Sequence, residues 1–123
     1  MAVRDRQLEL AAWACELVNG DVARTAGSTG RAAPLIIADE DVELVEVEFE
    51  GSYQGTALMG VDPADVLYQV ADKVQDQVMD NQAPWPTCDP HDAGVHAELR
   101  EGRAVWWCRR GDHLVTEVGQ LIG

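Results

Sequence analysis

The sequence contains no long apolar run. No stretch approaches the roughly 18 uninterrupted apolar residues of a membrane span, so we expect no transmembrane helix. The N-terminal segment is broken by Arg4, Asp5, Arg6 and Glu9. It also lacks the continuous apolar core and the small-residue cleavage site of a signal peptide. These absences predict a cytoplasmic protein.

Basic side chains are scarce, and the formal net charge is -13. Nine basic residues stand against 22 acidic ones, and a single lysine, Lys73, is among the nine. A protein this acidic repels the phosphate backbone, so we expect no direct binding of nucleic acid through a general surface. The charge favours a protein partner with a basic surface.

Cysteine is also rare, and its count is odd: Cys15, Cys88 and Cys108. An odd number in a protein that is not exported argues against a disulfide framework. Metal binding or burial is the better interpretation. Cys15 falls within an amphipathic pattern and is interpreted as a small buried apolar residue.

The first 60 residues predict one helix followed by strands. Apolar side chains at three- and four-residue spacing indicate a helix over residues 5–18, and Asn19-Gly20 is a stop signal. Leu35–Ile37 is a short apolar strand. Residues 45–50 alternate apolar and acidic side chains, which predicts a strand with one solvated face. Thr56–Met59 is the predicted partner of that strand.

The clearest helix signal begins at Asp62-Pro63. Asp62 suits the N-cap and Pro63 suits the first helical position, and the apolar stripe ends near residue 80. The segment Ala83–Pro86 then forms a stiff connector. We therefore predict an acidic α+β body over residues 1–83 and a second module over residues 84–123.

The second module contains two short pairs of candidate metal ligands. Cys88 and His91 are separated by two residues, and Cys108 and His113 by four. Zinc prefers four nitrogen or sulfur ligands in a tetrahedron, usually as two pairs that each come from a tight turn. A module of under about 40 residues is too small to be stable by burial alone, so a structural zinc ion is physically reasonable.

His96 is the alternative histidine ligand, and the strand register argues against it. If Glu101-Gly102 forms the turn of a hairpin, His96 lies opposite Trp107, on the other face from Cys108. A β-bulge would reverse this argument. A metal-free hairpin in which tryptophans bury Cys108 is the alternative to zinc binding.

This tail resembles that of small uncharacterised proteins of high-GC bacteria and their phages. The resemblance rests on four runs of residues and covers about a third of the chain. The runs are Trp85-Pro86-x-Cys88-x-Pro90-His91, Ala104 to Cys108, and Gly111-x-His113 with Val118-Gly119-x-Leu121. It implies a zinc-ribbon-like tail in a cytoplasmic or virion-associated protein, and it brings no known activity.

Two further surfaces are candidates for contact with a partner. Glu46, Glu48 and Glu50 would line one face of a strand, either as a solvated face or as a binding surface for a basic partner. Trp107, beside Arg109 and Arg110, is the other candidate, although stacking on a nucleic acid base is opposed by the negative field of the chain.

Together these patterns predict an α+β fold, with a helix–β-hairpin–helix body and a zinc-ribbon-like three-stranded β module. The expected function is a non-enzymatic, zinc-stabilised module for protein binding or assembly, one form of which is a phage structural component. An acidic inhibitor or DNA mimic that binds a basic nucleic-acid-handling enzyme is the alternative. No catalytic set is found, and the oligomeric state is left open.

Overall fold

The computed structural model describes residues 3–26, 30–53, 56–79, 84–88 and 93–122. Two α-helices and seven β-strands follow one another along these residues. They are α1 (Val3–Thr25), β1 (Ala32–Asp39), β2 (Val42–Phe49), α2 (Pro63–Met79), β3 (Thr87–Cys88), β4 (Ala93–Gly94), β5 (His96–Arg100), β6 (Arg103–Cys108) and β7 (His113–Glu117). The strands form three antiparallel sheets, in the orders β1-β2, β3-β4 and β5-β6-β7. The predicted α+β class is confirmed.

Helix α1 continues past the predicted stop at Gly20 and ends at Thr25. The glycine permits a close approach, because a Cβ added to it would lie 2.8 Å from Nη1 of Arg24. The side chain of Asn19 is engaged outside the helix, where its amide donates to the carbonyl of Ala32 (2.9 Å) and accepts from the Ala32 N–H (2.6 Å). Asn19 therefore makes a tertiary contact, and Gly20 leaves room for a side chain of its own helix.

Strands β1 and β2 pair with each other, from Ala32 opposite Phe49 to Asp39 opposite Val42. The predicted pairing of the acidic strand with residues 56–59 is therefore wrong, and the described residues 56–59 form no strand. Leu58 donates one backbone hydrogen bond to the Val45 carbonyl (2.8 Å) instead. The β1–β2 hairpin is closed by a loop of two residues, so the entropy cost of closing that loop is small.

Helix α2 begins as its sequence predicts. The Asp62 carboxylate accepts a hydrogen bond from the Asp65 N–H (3.0 Å), which is the N-cap geometry, and Pro63 occupies the first helical position. The buried face of the helix includes Val66, Val70 and Val74. Its last described residue is Met79, and the predicted end at residues 80–81 lies outside the described residues.

The three-stranded sheet contains the predicted hairpin. Glu101 and Gly102 both have positive φ, 52° and 76°, as a two-residue type I′ turn requires. Arg100 pairs with Arg103, and the ladder runs back to His96 opposite Trp107. The predicted register of this hairpin is confirmed.

The three-stranded sheet packs on the helices through Trp106, which is completely buried. Its ring meets that of Trp85 edge to face, with centroids 5.4 Å apart. Buried residues on both sides of the predicted boundary between residues 83 and 84 belong to one apolar cluster. The division into a body and a tail stays a prediction, but the described parts of both share a core.

Candidate metal centre

Three candidate ligands are placed by the ends of short strands. Cys88 ends β3, Cys108 ends β6 and His113 begins β7. Cys108 and His113 are cross-strand partners on either side of the turn at residues 109–112. Both cysteines are buried, and the histidine is half-buried.

The ligand atoms of these three side chains lie close together. The two Sγ atoms and a ring nitrogen of His113 are all within 4.8 Å of one another. The Cys88 Sγ is 3.4 Å from the His113 Nε2. A tetrahedral zinc ion with bonds of ~2.0–2.3 Å holds its ligands roughly 3.3–3.8 Å apart. The cluster therefore has the size needed to bind a metal ion.

Hydrogen bonds orient two of the ligands. The Gly111 N–H donates to the Cys108 Sγ (3.3 Å), and this contact fixes the position of the sulfur. The Nδ1 of His113 lies 2.9 Å from the Leu114 carbonyl. Because a carbonyl accepts but does not donate, Nδ1 is the donor in this contact, which leaves Nε2 as the ring nitrogen on the side of Cys88.

Of the other two histidines, His91 and His96, the structure describes only His96. His91 lies outside the described residues, so its part in the site stays a prediction. His96 pairs with Trp107 in the β5–β6 ladder and does not belong to the cluster of ligand atoms. The third cysteine, Cys15, is buried on α1, and its burial raises the pKa of the thiol to about 12.

The acidic strand is less exposed than the sequence pattern predicts. Glu46 is 1% exposed, and its carboxylate lies 3.0 Å from the Nζ of Lys73 on α2. The prediction that Glu46 faces solvent is therefore wrong, because an ion pair holds it between β2 and α2. Glu48 is half-buried and Glu50 is exposed. Their role in partner binding stays a prediction.

Trp107, the other predicted contact residue, is half-buried. The guanidinium carbon of Arg100 lies 4.0 Å from the centroid of its ring, a cation–π contact. Arg100 and Arg109 both bond the Glu98 carboxylate, at 3.0 and 2.9 Å. The Trp107 ring thus has an intramolecular partner on one face.

Asp21, which no sequence pattern singles out, joins α1 to the tail. It is 0% exposed, and four N–H groups donate to its carboxylate. The donors are Trp106 Nε1 (2.9 Å), Arg24 Nη2 (3.0 Å) and the backbone of Gly119 (2.6 Å) and Leu121 (2.9 Å). Three of these donors are 85 to 100 residues away along the chain, so no local pattern indicates the contact.

Comparison of the chain with protein-family models, with curated proteins and with solved structures gave no match. The resemblance of the tail to proteins of high-GC bacteria and phages therefore stays a prediction. Among the described residues, neither helix combines the length and the apolar character needed to cross a membrane. The site itself is thus the basis for a proposal about function.

Proposed function

We propose that the tail is a zinc-stabilised module in which the ion has a structural role. The single observation that supports this is the convergence of Cys88, Cys108 and His113 within 4.8 Å. Thiolate and imidazole together favour zinc over magnesium or calcium, which prefer oxygen ligands. His91, three residues beyond Cys88 and followed by β4, is the proposed fourth ligand.

A structural role follows from the chemistry of such a set. Four protein ligands leave no open position for water or substrate, whereas a catalytic zinc site keeps one open. The two ligand pairs would join β3 and β4 to the three-stranded sheet, whose outer strands are short. Metal binding would then add folding free energy to that of the core that the tail shares with the helices.

We further propose that the whole chain is a non-enzymatic module for protein binding or assembly. The acidic surface favours a partner that carries basic side chains. The burial of Glu46 removes one carboxylate from the array that a DNA mimic would need, so the binding module is the better supported alternative. A phage or prophage structural component is one form of this proposal.

Metal content of the purified protein tests the zinc proposal. We expect one zinc ion per chain in the parent and a loss of most zinc in Cys108→Ser and His113→Ala. Cys15→Ser and His96→Ala are the matched controls, since each removes the same residue type outside the cluster. Both controls should retain the ion, and so should His113→Cys, which supplies another soft ligand.

Three results would overturn parts of this proposal. A parent protein purified without any metal would exclude the site. Iron in place of zinc would leave the site but change the ion. Zinc loss in His96→Ala together with retention in His113→Ala would identify His96, and not His113, as the histidine ligand.

A further inference from the structure

One edge of the β1–β2 hairpin carries backbone groups that pair with no other strand among the described residues. In an antiparallel pair, the N–H and C=O of a residue point either toward the partner strand or away from it, and the two directions alternate along the strand. The Phe49 N–H and C=O bond Ser52, and the Val45 carbonyl accepts from Leu58. These groups of β2 therefore point away from β1.

The pairing register then shows which backbone groups of β1 point away from β2. Phe49 is opposite Ala32, and Val45 is opposite Ile36. The backbone groups of these β1 residues consequently point away from β2, as do those of Pro34 and Ala38, which share their parity. The hydrogen bonds from Asn19 to Ala32 agree, because they occupy the outward N–H and C=O of that residue.

The outward edge of β1 has a closed half at Ala32 and Pro34, where a new strand cannot pair, and an open half at Ile36 and Ala38, where it can. Asn19 covers Ala32, and Pro34 has no N–H to offer, which is a common protection of edge strands. Ile36 is 42% exposed and Ala38 is exposed. No other described strand pairs with this edge. An extended segment that adds here would meet two open residues with apolar side chains.

Charge indicates what kind of segment fits. The open half of β1 leads into the hairpin turn at Glu40 and Asp41, both exposed. Glu50 is also exposed on this hairpin. A second copy of the chain would bring the same carboxylates and a net charge of -13 to this edge. An extended peptide with alternating apolar and basic residues complements it instead.

We propose that the outward edge of β1 at Ile36 and Ala38 binds an extended basic and apolar segment of a partner protein by β-strand addition. Main-chain hydrogen bonds to these two residues supply affinity, and the carboxylates of the hairpin turn favour lysine or arginine in the segment. This inference deepens the protein-binding part of the proposed function. It does not depend on the metal, so the zinc-content test and the peptide-binding test can fail independently of each other.

The probe is a synthetic heptapeptide of alternating lysine and valine with blocked ends, titrated against the full chain by calorimetry and by NMR. We expect saturable binding that weakens with salt and slows amide exchange at Ile36 and Ala38. The same peptide N-methylated at every residue cannot form the ladder through either edge, and we expect it to bind about tenfold more weakly or worse. A glutamate-for-lysine version should not bind.

The matched protein variants are Ile36→Pro and Leu99→Pro. Both residues are 42% exposed on an edge strand. Leu99 also directs its backbone away from its partner strand, because Arg100 and Arg103 flank the two-residue turn. Ile36→Pro removes the outward N–H and should weaken binding about tenfold. Leu99→Pro should leave binding unchanged, since β5 is bordered by arginines.

Several outcomes would overturn the proposal. Equal binding of the methylated peptide would show attraction by charge alone, and this test needs no change to the protein. Equal loss in both proline variants would show a structural effect. A dimer of the parent that becomes a monomer in Ile36→Pro, measured by sedimentation, would mean that the edge pairs with a second copy of the chain.

Discussion

Two junctions of the molecule each contain a buried carboxylate, and they use it differently. At the junction of α1 with the tail, Asp21 accepts hydrogen bonds from the backbone, from Trp106 and from Arg24. At the junction of β2 with α2, Glu46 pairs with Lys73 and accepts the Val47 N–H (3.0 Å). Two of the four Asp21 donors are backbone N–H groups of the distant tail, whereas Glu46 meets one side chain and the N–H of its own neighbour.

This difference follows from how the backbone of each region is paired. At the β2–α2 junction, the backbone groups belong to a paired strand and a helix. At the end of the tail, the described residues after Glu117 form no strand, although Val118 and Leu121 are buried. A carboxylate that bonds two backbone N–H groups can fix such a segment, because buried N–H groups otherwise cost free energy. We infer that Asp21 is structurally indispensable and that the Glu46–Lys73 pair is replaceable.

The largest effect is expected for Asp21→Asn. The amide retains one acceptor oxygen, and its NH₂ group would face the Trp106 and Gly119 donors. We expect the free energy of unfolding to fall by roughly 3–5 kcal/mol, the usual cost of breaking a buried charged network. Denaturant unfolding followed by tryptophan fluorescence measures it.

The control is Asp76→Asn, because Asp76 is exposed on α2. It should change the free energy of unfolding by no more than about 0.5 kcal/mol. Similar values for the two variants would contradict an essential role for Asp21. A restored stability in Asp21→Leu would also contradict it, since the backbone donors would remain buried without an acceptor.

A smaller effect is expected at the Glu46–Lys73 pair, and it should be reversible. Lys73→Met leaves the Glu46 carboxylate buried without its cation and should cost roughly 3 kcal/mol. The double variant Glu46→Leu with Lys73→Met replaces both charges by apolar groups of similar size. We expect it to recover stability to within about 1 kcal/mol of the parent, because such replacements are often neutral.

The same unfolding measurement tests this pair as a double-mutant cycle. A double variant no more stable than Lys73→Met would show that the ion pair is as indispensable as the Asp21 network. That result would remove the difference between the two junctions. Lys73 also donates to the Thr56 carbonyl, so Lys73→Arg is the variant that preserves the charge.

Local signals predicted the parts of the fold that local physics determines. The cap at Asp62 and Pro63, and the type I′ turn at Glu101-Gly102, follow from backbone preferences that a short segment carries. The register from that turn then placed His96 away from Cys108. The spacing of Cys108 and His113 identified residues that the structure brings together.

The remainder depends on contacts that are distant in the sequence. The pattern around Glu46 has the period of a half-exposed strand, and α2 covers the face that the pattern marks as solvated. Asn19-Gly20 is typical of a helix stop, but the Asn19 side chain bonds the backbone of Ala32 on β1 and the helix continues. The partners of Asp21 are known only once the tail is in place. A single sequence does not contain these long-range pairings.

The smallest expected effects concern two carboxyl groups that respond to pH in opposite directions. The hydrogen bond from Arg109, together with Arg100, lowers the pKa of Glu98. Burial on α2, together with the charge of Asp76, raises the pKa of Asp72. One group belongs to the tail sheet and the other to the body.

The sign of each contribution follows from linkage. Because its folded pKa is lowered, Glu98 adds stability above the ordinary glutamate value of roughly 4.3, and this is lost as pH falls through the folded pKa. Because its folded pKa is raised, Asp72 adds stability below roughly 3.9 that is lost as pH rises through the folded pKa. We therefore expect Glu98→Gln to lower stability at pH 7 and Asp72→Asn to raise it, both slightly, since neither group is deeply buried. Unfolding midpoints at pH 3, 5 and 7 test this, with Glu16→Gln as the exposed control. Shifts of the same sign at pH 7 would mean that these carboxyls respond to the overall charge of -13 rather than to their own neighbours.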